Sequence, residues 1–358
     1  MFGFSSSDPI QKVAVEELDT VFSGNSIDLI SKPLGSEILA VSDEWFASAS
    51  NLTTRTPPIR KPGVFTHAGA WYDGWETRRH NPSDFDWAVI KLGVASGKFR
   101  GFEVDTAHFS GNHAPEIAVQ AFFAGSNDDA DELVKDEGFG GWETVLPRQE
   151  CGPDRRQAWR LEKETEKQYT HVRLQMFPDG GIARFRAYGV PVPVFPEGAD
   201  DTFDLAAAKN GGRAVGCSDQ HFGTKDNLLL PGRGVDMGDG WETKRTRGEH
   251  VDWVIVRLGT PGEIDKVVVD TAHFRGNFPK EFQVFAGEFE GHSSEPTHDD
   301  AGWVEILEPT PARPDEEHEF EAADLKDVAV KAYSHVKLVI IPDGGVKRLR
   351  VFGRRRAW

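Results

Sequence analysis

Asp73-Gly74-Trp75-Glu76-Thr77-Arg78-Arg79 returns almost unchanged as Asp239-Gly240-Trp241-Glu242-Thr243-Lys244-Arg245. Two further stretches follow the same rule. Val104-Asp105-Thr106-Ala107-His108-Phe109 recurs as Val269-Asp270-Thr271-Ala272-His273-Phe274, and Pro178-Asp179-Gly180-Gly181 recurs as Pro342-Asp343-Gly344-Gly345. The offsets are 166, 165 and 164 residues, so one whole unit is duplicated with few insertions. A period this long is a complete domain rather than a solenoid repeat. Both copies keep Asp, Glu, Arg, His and Asn, and packing alone does not demand polar identity.

Around these motifs the pattern is strand-like. Asp86 to Leu92 matches Asp252 to Leu258, and His171 to Met176 alternates polar and apolar residues, as does His335 to Ile340. Each of the latter pair is followed by Pro-Asp-Gly-Gly, a strong turn signal. Arg184 to Tyr188 and Arg348 to Phe352 alternate again, and Lys266 to Val269 is a short β-branched run. No convincing long amphipathic helix interrupts either copy. The expected fold class is therefore all-β, a tandem duplication of an antiparallel sandwich or barrel. The expected layout is a leader over 1–33 with a short helix in Ile10 to Phe22, a first repeat over 34–189 and a linker over 190–210. A second repeat follows over 211–353, then a basic tail over 354–358. Val190-Pro191-Val192-Pro193 reads as extended linker because its prolines lack donors. The segments Ser126 to Gly141 and Glu290 to Gly302 read as matching surface insertions without catalytic character.

The chain has 358 residues, enough for two domains with real cores. Its net charge of −17 argues against nucleic-acid or anionic-membrane partners, which require a basic face. Two cysteines, Cys151 and Cys217, lie in different halves, which excludes a disulfide framework and suits a reducing compartment. There is no membrane-length apolar run, no secretory signal in Met1 to Asp8 and no peroxisomal tail, so a cytoplasmic protein is expected.

Each polar motif admits a chemical and a structural reading. In Asp-Gly-Trp-Glu-Thr, the arginines Arg79 and Arg245 can hold a carboxylate through their planar fork, with Glu76 and Glu242 orienting them beside Trp75 and Trp241. The structural reading is a cross-strand ion pair beside a core tryptophan. Asp105 with His108, and Asp270 with His273, can form a carboxylate–imidazole pair for proton transfer, with Asn112 and Asn277 polarising a carbonyl. Here the structural reading is an Asx-turn with a satisfied histidine. His171 and His335 begin core strands and read as structural. Asp105, His108 and His113 offer a metal triad, but Phe278 stands near the place of His113 in the second copy. A divalent metal is thus a secondary reading, and the sequence points to no other cofactor. No phosphate loop, dinucleotide fingerprint or serine elbow is present, and Cys217 has no twin.

Taken together, these residues resemble the allantoicase family, in Gly35-Ser36-Glu37-Ile38, Ser42-Asp43-Glu44-Trp45-Phe46, the Gly-Trp-Glu-Thr pair, the Asp-Thr-Ala-His-Phe pair and Gly111-Asn112. The likeness spans Leu34 to Gly353. It implies two tandem jelly-roll β-sandwiches of galactose-binding-like type and hydrolysis of allantoate to ureidoglycolate and urea. Allantoate carries one carboxylate and two ureido groups on a single carbon. Expelling one ureido group needs a proton on the leaving nitrogen, a clamp for the carboxylate and partners for the ureido N–H and C=O, and the repeated residues supply each type. A small ureide partner and a homo-oligomer are expected. The alternative is a non-catalytic tandem jelly roll that binds carbohydrate or another small ligand, an idea encouraged by ten tryptophans. A purely structural, self-assembling protein is a third reading. Whether one repeat, both or their interface forms the site stays open at this level.

Overall fold

A computed structural model describes residues 10–125, 129–198, 200–289, 291, 294–328 and 331–356. The chain divides into two compact units, Met1–Val192 and Pro193–Trp358. In the first unit, two five-stranded antiparallel sheets face each other. One runs in the order 10–12, 156–161, 97–105, 184–191, 27–28, the other 143–150, 116–122, 171–177, 86–91, 37–41. This is the jelly-roll-like sandwich expected. Apolar residues from both sheets fill the space between them, among them Phe99, Phe102, Val119, Leu174 and Phe185, all fully buried. Each such side chain contributes about 1.5–3 kcal/mol of burial.

The second unit repeats the plan with two differences: among the described residues the 10–12 strand has no counterpart there, and one long strand replaces two. Asp252–Asp270 is a single 19-residue strand that serves both sheets. Its first part pairs with Ala332–Ile341, and its second part pairs with Arg348–Arg355 and Glu317–Glu321. The ladder shifts register between Arg257 and Gly262, where the strand bends from one sheet to the other. In the first unit the same work is divided between Asp86–Lys91 and Gly97–Asp105.

The segment boundaries differ from the expected ones. Residues 10–33 are not a separate leader: Ile10–Lys12 pairs with the Arg156–Leu161 strand, and Ile27–Asp28 pairs with Tyr188 and Gly189. The expected helix over Ile10 to Phe22 is limited to one 3-10 turn at Val15–Glu17, and Leu18 and Phe22 pack on Ala158. The prolines do not keep Val190 and Pro191 out of the sheet. They pair with Lys98 and Gly97, beyond the point where the flanking strand stops at Gly189, so the side of Pro191 that lacks a donor faces no strand. The basic tail is likewise part of the fold, since Arg348–Arg355 runs past Gly353 and Arg354 pairs with Asp265. Residues 1–9, 126–128, 290, 292, 293, 357 and 358, parts of the expected leader, insertions and tail, lie outside the described residues.

Candidate active site

The three repeated motifs meet at one corner of each sandwich. Trp75 and Glu76 pair with Ile182 and Gly181, and Trp241 and Glu242 with Val346 and Gly345. The glycine of the first motif is there because the backbones touch. A Cβ on Gly74 would stand 2.7 Å from Ile182 O and 2.8 Å from the Phe109 ring, and one on Gly240 would stand 2.7 Å from Phe274. Trp75 and Trp241 are fully buried and donate their indole N–H to Asp43 O and Asp219 O at 2.8 and 2.9 Å. They are core anchors and not the substrate-binding surface expected for them. Thr77 exchanges hydrogen bonds with Gly180, and Thr243 with Gly344. Asp43 accepts from Arg78 N and Nε at 2.7 and 3.0 Å, while Asp219 accepts from Lys244 N at 2.8 Å. For these members the structural reading holds.

Glu76, Arg79 and Asn112 converge. Glu76 is 6% exposed, and its Oε1 accepts from Asn112 Nδ2 at 2.8 Å and Arg79 Nη2 at 3.1 Å. Burial raises its pKa, opposed by Asn112 and Arg79. Arg79 also donates to Thr77 O and Asn112 O, and its side chain stays one-third exposed. The second repeat keeps half of this: Asn277 donates to Glu242 Oε1 at 2.5 Å, while Arg245 is exposed and donates to Gly276 O at 3.2 Å.

The strand-end aspartates do not orient the histidines as expected. Asp105 Oδ1 accepts the Ala107 N–H at 2.8 Å and Asp270 Oδ1 the Ala272 N–H at 2.8 Å, each an Asx-turn. The carboxylates that do reach the histidines take their backbone N–H: Asp154 from His108 and Asp315 from His273, both at 2.7 Å. His108 Nε2 lies 3.3 Å from Pro58 O. A signal for Asp154 and Asp315 existed in the recurring Pro-Asp dipeptide at Pro153-Asp154 and Pro314-Asp315. His108 and His273 sit in the left-handed region, with φ of 71° and 69°. That conformation costs a side-chain-bearing residue free energy that glycine would avoid, yet both repeats retain histidine there. Asp105, His108 and His113 do not converge as metal ligands: among the described residues no group of three or more His, Cys, Asp or Glu is placed to hold an ion. Cys151 is buried, which pushes its thiol up to about 12 and leaves it unreactive.

Sequence reasoning also passed over a second polar layer. Arg184 donates to Asp73 Oδ2 at 2.8 Å and to Thr56 O at 3.0 Å, and Arg348 donates to Asp239 Oδ2 at 3.1 Å and Gly232 O at 3.0 Å. Lys347, fully buried, pairs with Asp239, where the first repeat has Ala183. Arginine in an alternating strand looks like a solvent-facing residue, which hides this layer from pattern reading.

A duplicated jelly roll with paired glutamate–asparagine contacts and a histidine on each strand-end turn defines a class of two-domain β proteins. Residues 27–192 and 203–356 each match the family model for the Allantoicase repeat. The chain is 59% identical to the Neurospora crassa protein named Allantoicase, over 97% of this chain and 96% of that one. It is 49% identical to the Saccharomyces cerevisiae Allantoicase over 93% and 95%. The crystal structure of the Saccharomyces cerevisiae protein superposes with a TM-score of 0.80 at 42% identity, covering 96% of this chain and 99% of that one. A further allantoicase structure gives a TM-score of 0.82 at 43% identity, covering 96% and 100%. The chain belongs to the allantoicase family.

Proposed function

We propose that this chain hydrolyses allantoate to ureidoglycolate and urea. The observation that carries the reading is near-full-length likeness to named allantoicases, coupled to two copies of the polar set that the reaction needs. Arg79 and Arg245 hold the substrate carboxylate, and Glu76 and Glu242 act with Asn112 and Asn277 to set the loop that faces it. His108 and His273 carry the proton to the departing ureido nitrogen and take one from the incoming water. The proton balance closes: one water supplies a hydroxyl to the central carbon and a hydrogen to the leaving urea. A purely carbohydrate-binding jelly roll has no use for a histidine held on a left-handed turn in both repeats. The test is urea release from allantoate by the purified protein, with and without added divalent metal. Release of urea is the expected result, and its absence from folded protein in both conditions overturns the reading.

The same reading includes self-association and a cytoplasmic location. Support for the first comes from Trp45, Ile59, Val64 and Phe65, large apolar side chains that stand 44–73% exposed in the first unit. Light scattering of the purified chain gives the mass directly, and a monomer at working concentration overturns this part alone.

A further inference from the structure

The two repeats treat their strand-end aspartates differently. Asp270 receives a two-pronged guanidinium from its own unit: Arg233 donates Nε to Oδ2 at 2.9 Å and Nη2 to Oδ1 at 2.8 Å. Asp105 occupies the same place in the first repeat, is only 6% exposed, and makes the same Asx-turn contact. Yet among the described residues no guanidinium or ammonium donates to it. Its two cationic neighbours are engaged elsewhere. Arg156 is bound to Glu103 and Asp19, and Arg184 to Asp73 and the carbonyls of Thr56 and Ala183.

The loops show how this difference arises. Arg184 Nε meets Thr56 O, and its twin Arg348 Nε meets Gly232 O. The next residue is therefore Pro57 in one repeat and Arg233 in the other. Proline carries no donor, so the carboxylate keeps its acceptor capacity. A buried carboxylate left in that condition is costly, and burial does raise the Asp105 pKa, with Glu103 adding to the effect.

A guanidinium and a ureido group share one relevant feature. Both are planar and present two parallel N–H bonds that fit the two oxygens of a carboxylate; in a ureido group these point away from the C=O. We infer that Asp105 grips a ureido group of the substrate, and that Arg233 is a built-in guanidinium filling the equivalent position at Asp270. The first repeat then holds the substrate at its strand end, and the second is a twin occupied by its own side chain. This rests on the ureide reading above and narrows it to one repeat.

Asp105→Asn tests the inference, because it keeps the size and the Oδ1 acceptor for Ala107 but turns the other oxygen into a donor. The KM for allantoate is expected to rise about tenfold or more, with an unchanged unfolding midpoint. Calorimetric titration with N-carbamoylglycine, a simple ureido acid, gives the second readout. One molecule is expected per parent chain, two per Arg233→Ala chain, and none per Asp105→Asn chain at the same concentration. A parent-like KM and stoichiometry in Asp105→Asn overturn the role of Asp105, and a single site in Arg233→Ala overturns that of Arg233. Loss of the ureide reading looks different, since the parent enzyme itself then releases no urea.

Discussion

Asn112 donates its side-chain amide to Glu76 at 2.8 Å, and Asn277 repeats the contact with Glu242 at 2.5 Å. The contact joins two motifs that lie 36 and 35 residues apart, and it holds the loop after each strand-end histidine against the corner. Asn112→Ala leaves a buried carboxylate short of one donor, at a cost of about 1–3 kcal/mol in denaturant unfolding. The pH dependence has a definite sign. The folded-state pKa of Glu76 is already raised by burial, and losing Asn112 raises it further. A raised carboxyl pKa means that stability falls as pH climbs from the unfolded value through the folded one. The deficit of Asn112→Ala is therefore smaller at pH 4 than at pH 7, and an equal deficit at both contradicts the account.

Arg79 and Arg245 separate binding from folding. Arg79 makes three hydrogen bonds within its corner, whereas Arg245 makes one to Gly276 O. Arg79→Ala is expected to lower the melting temperature and raise KM together. Arg245→Ala leaves the melting temperature unchanged, and any effect it has appears in KM alone. Lysine rescues Arg79 poorly because it lacks the fork. Parallel melting and kinetic measurements decide, and a normal KM in both alanine variants removes the arginines from the site.

His108 tests chemistry against backbone strain at one position. His108→Gly relieves the left-handed turn at φ 71°, while His108→Ala keeps the strain and loses the ring. Glycine is expected to be more stable than alanine by about 1 kcal/mol, with turnover in both down by about 10²-fold or more. Near-parent turnover in the glycine variant shows that the imidazole carries no proton.

His171 and His335 set a different pH response. Each is buried, accepts from a neighbouring hydroxyl (Thr170 or Ser334) at 2.8 Å, and meets Asp131 or Glu295 through Nε2 at 2.9 Å. Burial is the largest cause holding both pKa values below the ordinary one, with the carboxylates acting in the opposite direction. The unfolded chain then takes up protons first as pH drops, near 6.5. Stability from this source is complete above that pH and declines below it, towards the folded pKa. Replacing both histidines with glutamine is expected to make stability between pH 7 and 5 less steep against pH. An unchanged slope refutes the assignment.

Much of the fold was legible because duplication doubled every signal. Strict alternation in His171 to Met176 and the Pro-Asp-Gly-Gly turn located strands that the structure contains. The leader's place in the sheet is hidden from pattern reading because Ile10–Lys12 and Ile27–Asp28 are too short to show a period, and their partners lie 147 or more residues away. The site was legible in composition but not in pairing. Glu76, Arg79 and Asn112 come together as their residue types suggest, whereas Asp105 turns to Ala107 instead of His108. Local backbone amides compete strongly for an aspartate side chain, and sequence spacing does not reveal which donor wins. Arg233 escaped notice because nothing at its twin position resembles it: Pro57 stands there.

The most direct test of the central claim is carbon NMR of allantoate, labelled at its central and ureido carbons, mixed with the purified full chain. The account predicts that urea and ureidoglycolate appear together in equal amounts, and that Asp105→Asn slows both at subsaturating allantoate. Allantoate left intact by the parent protein, beyond its loss in buffer, contradicts the account.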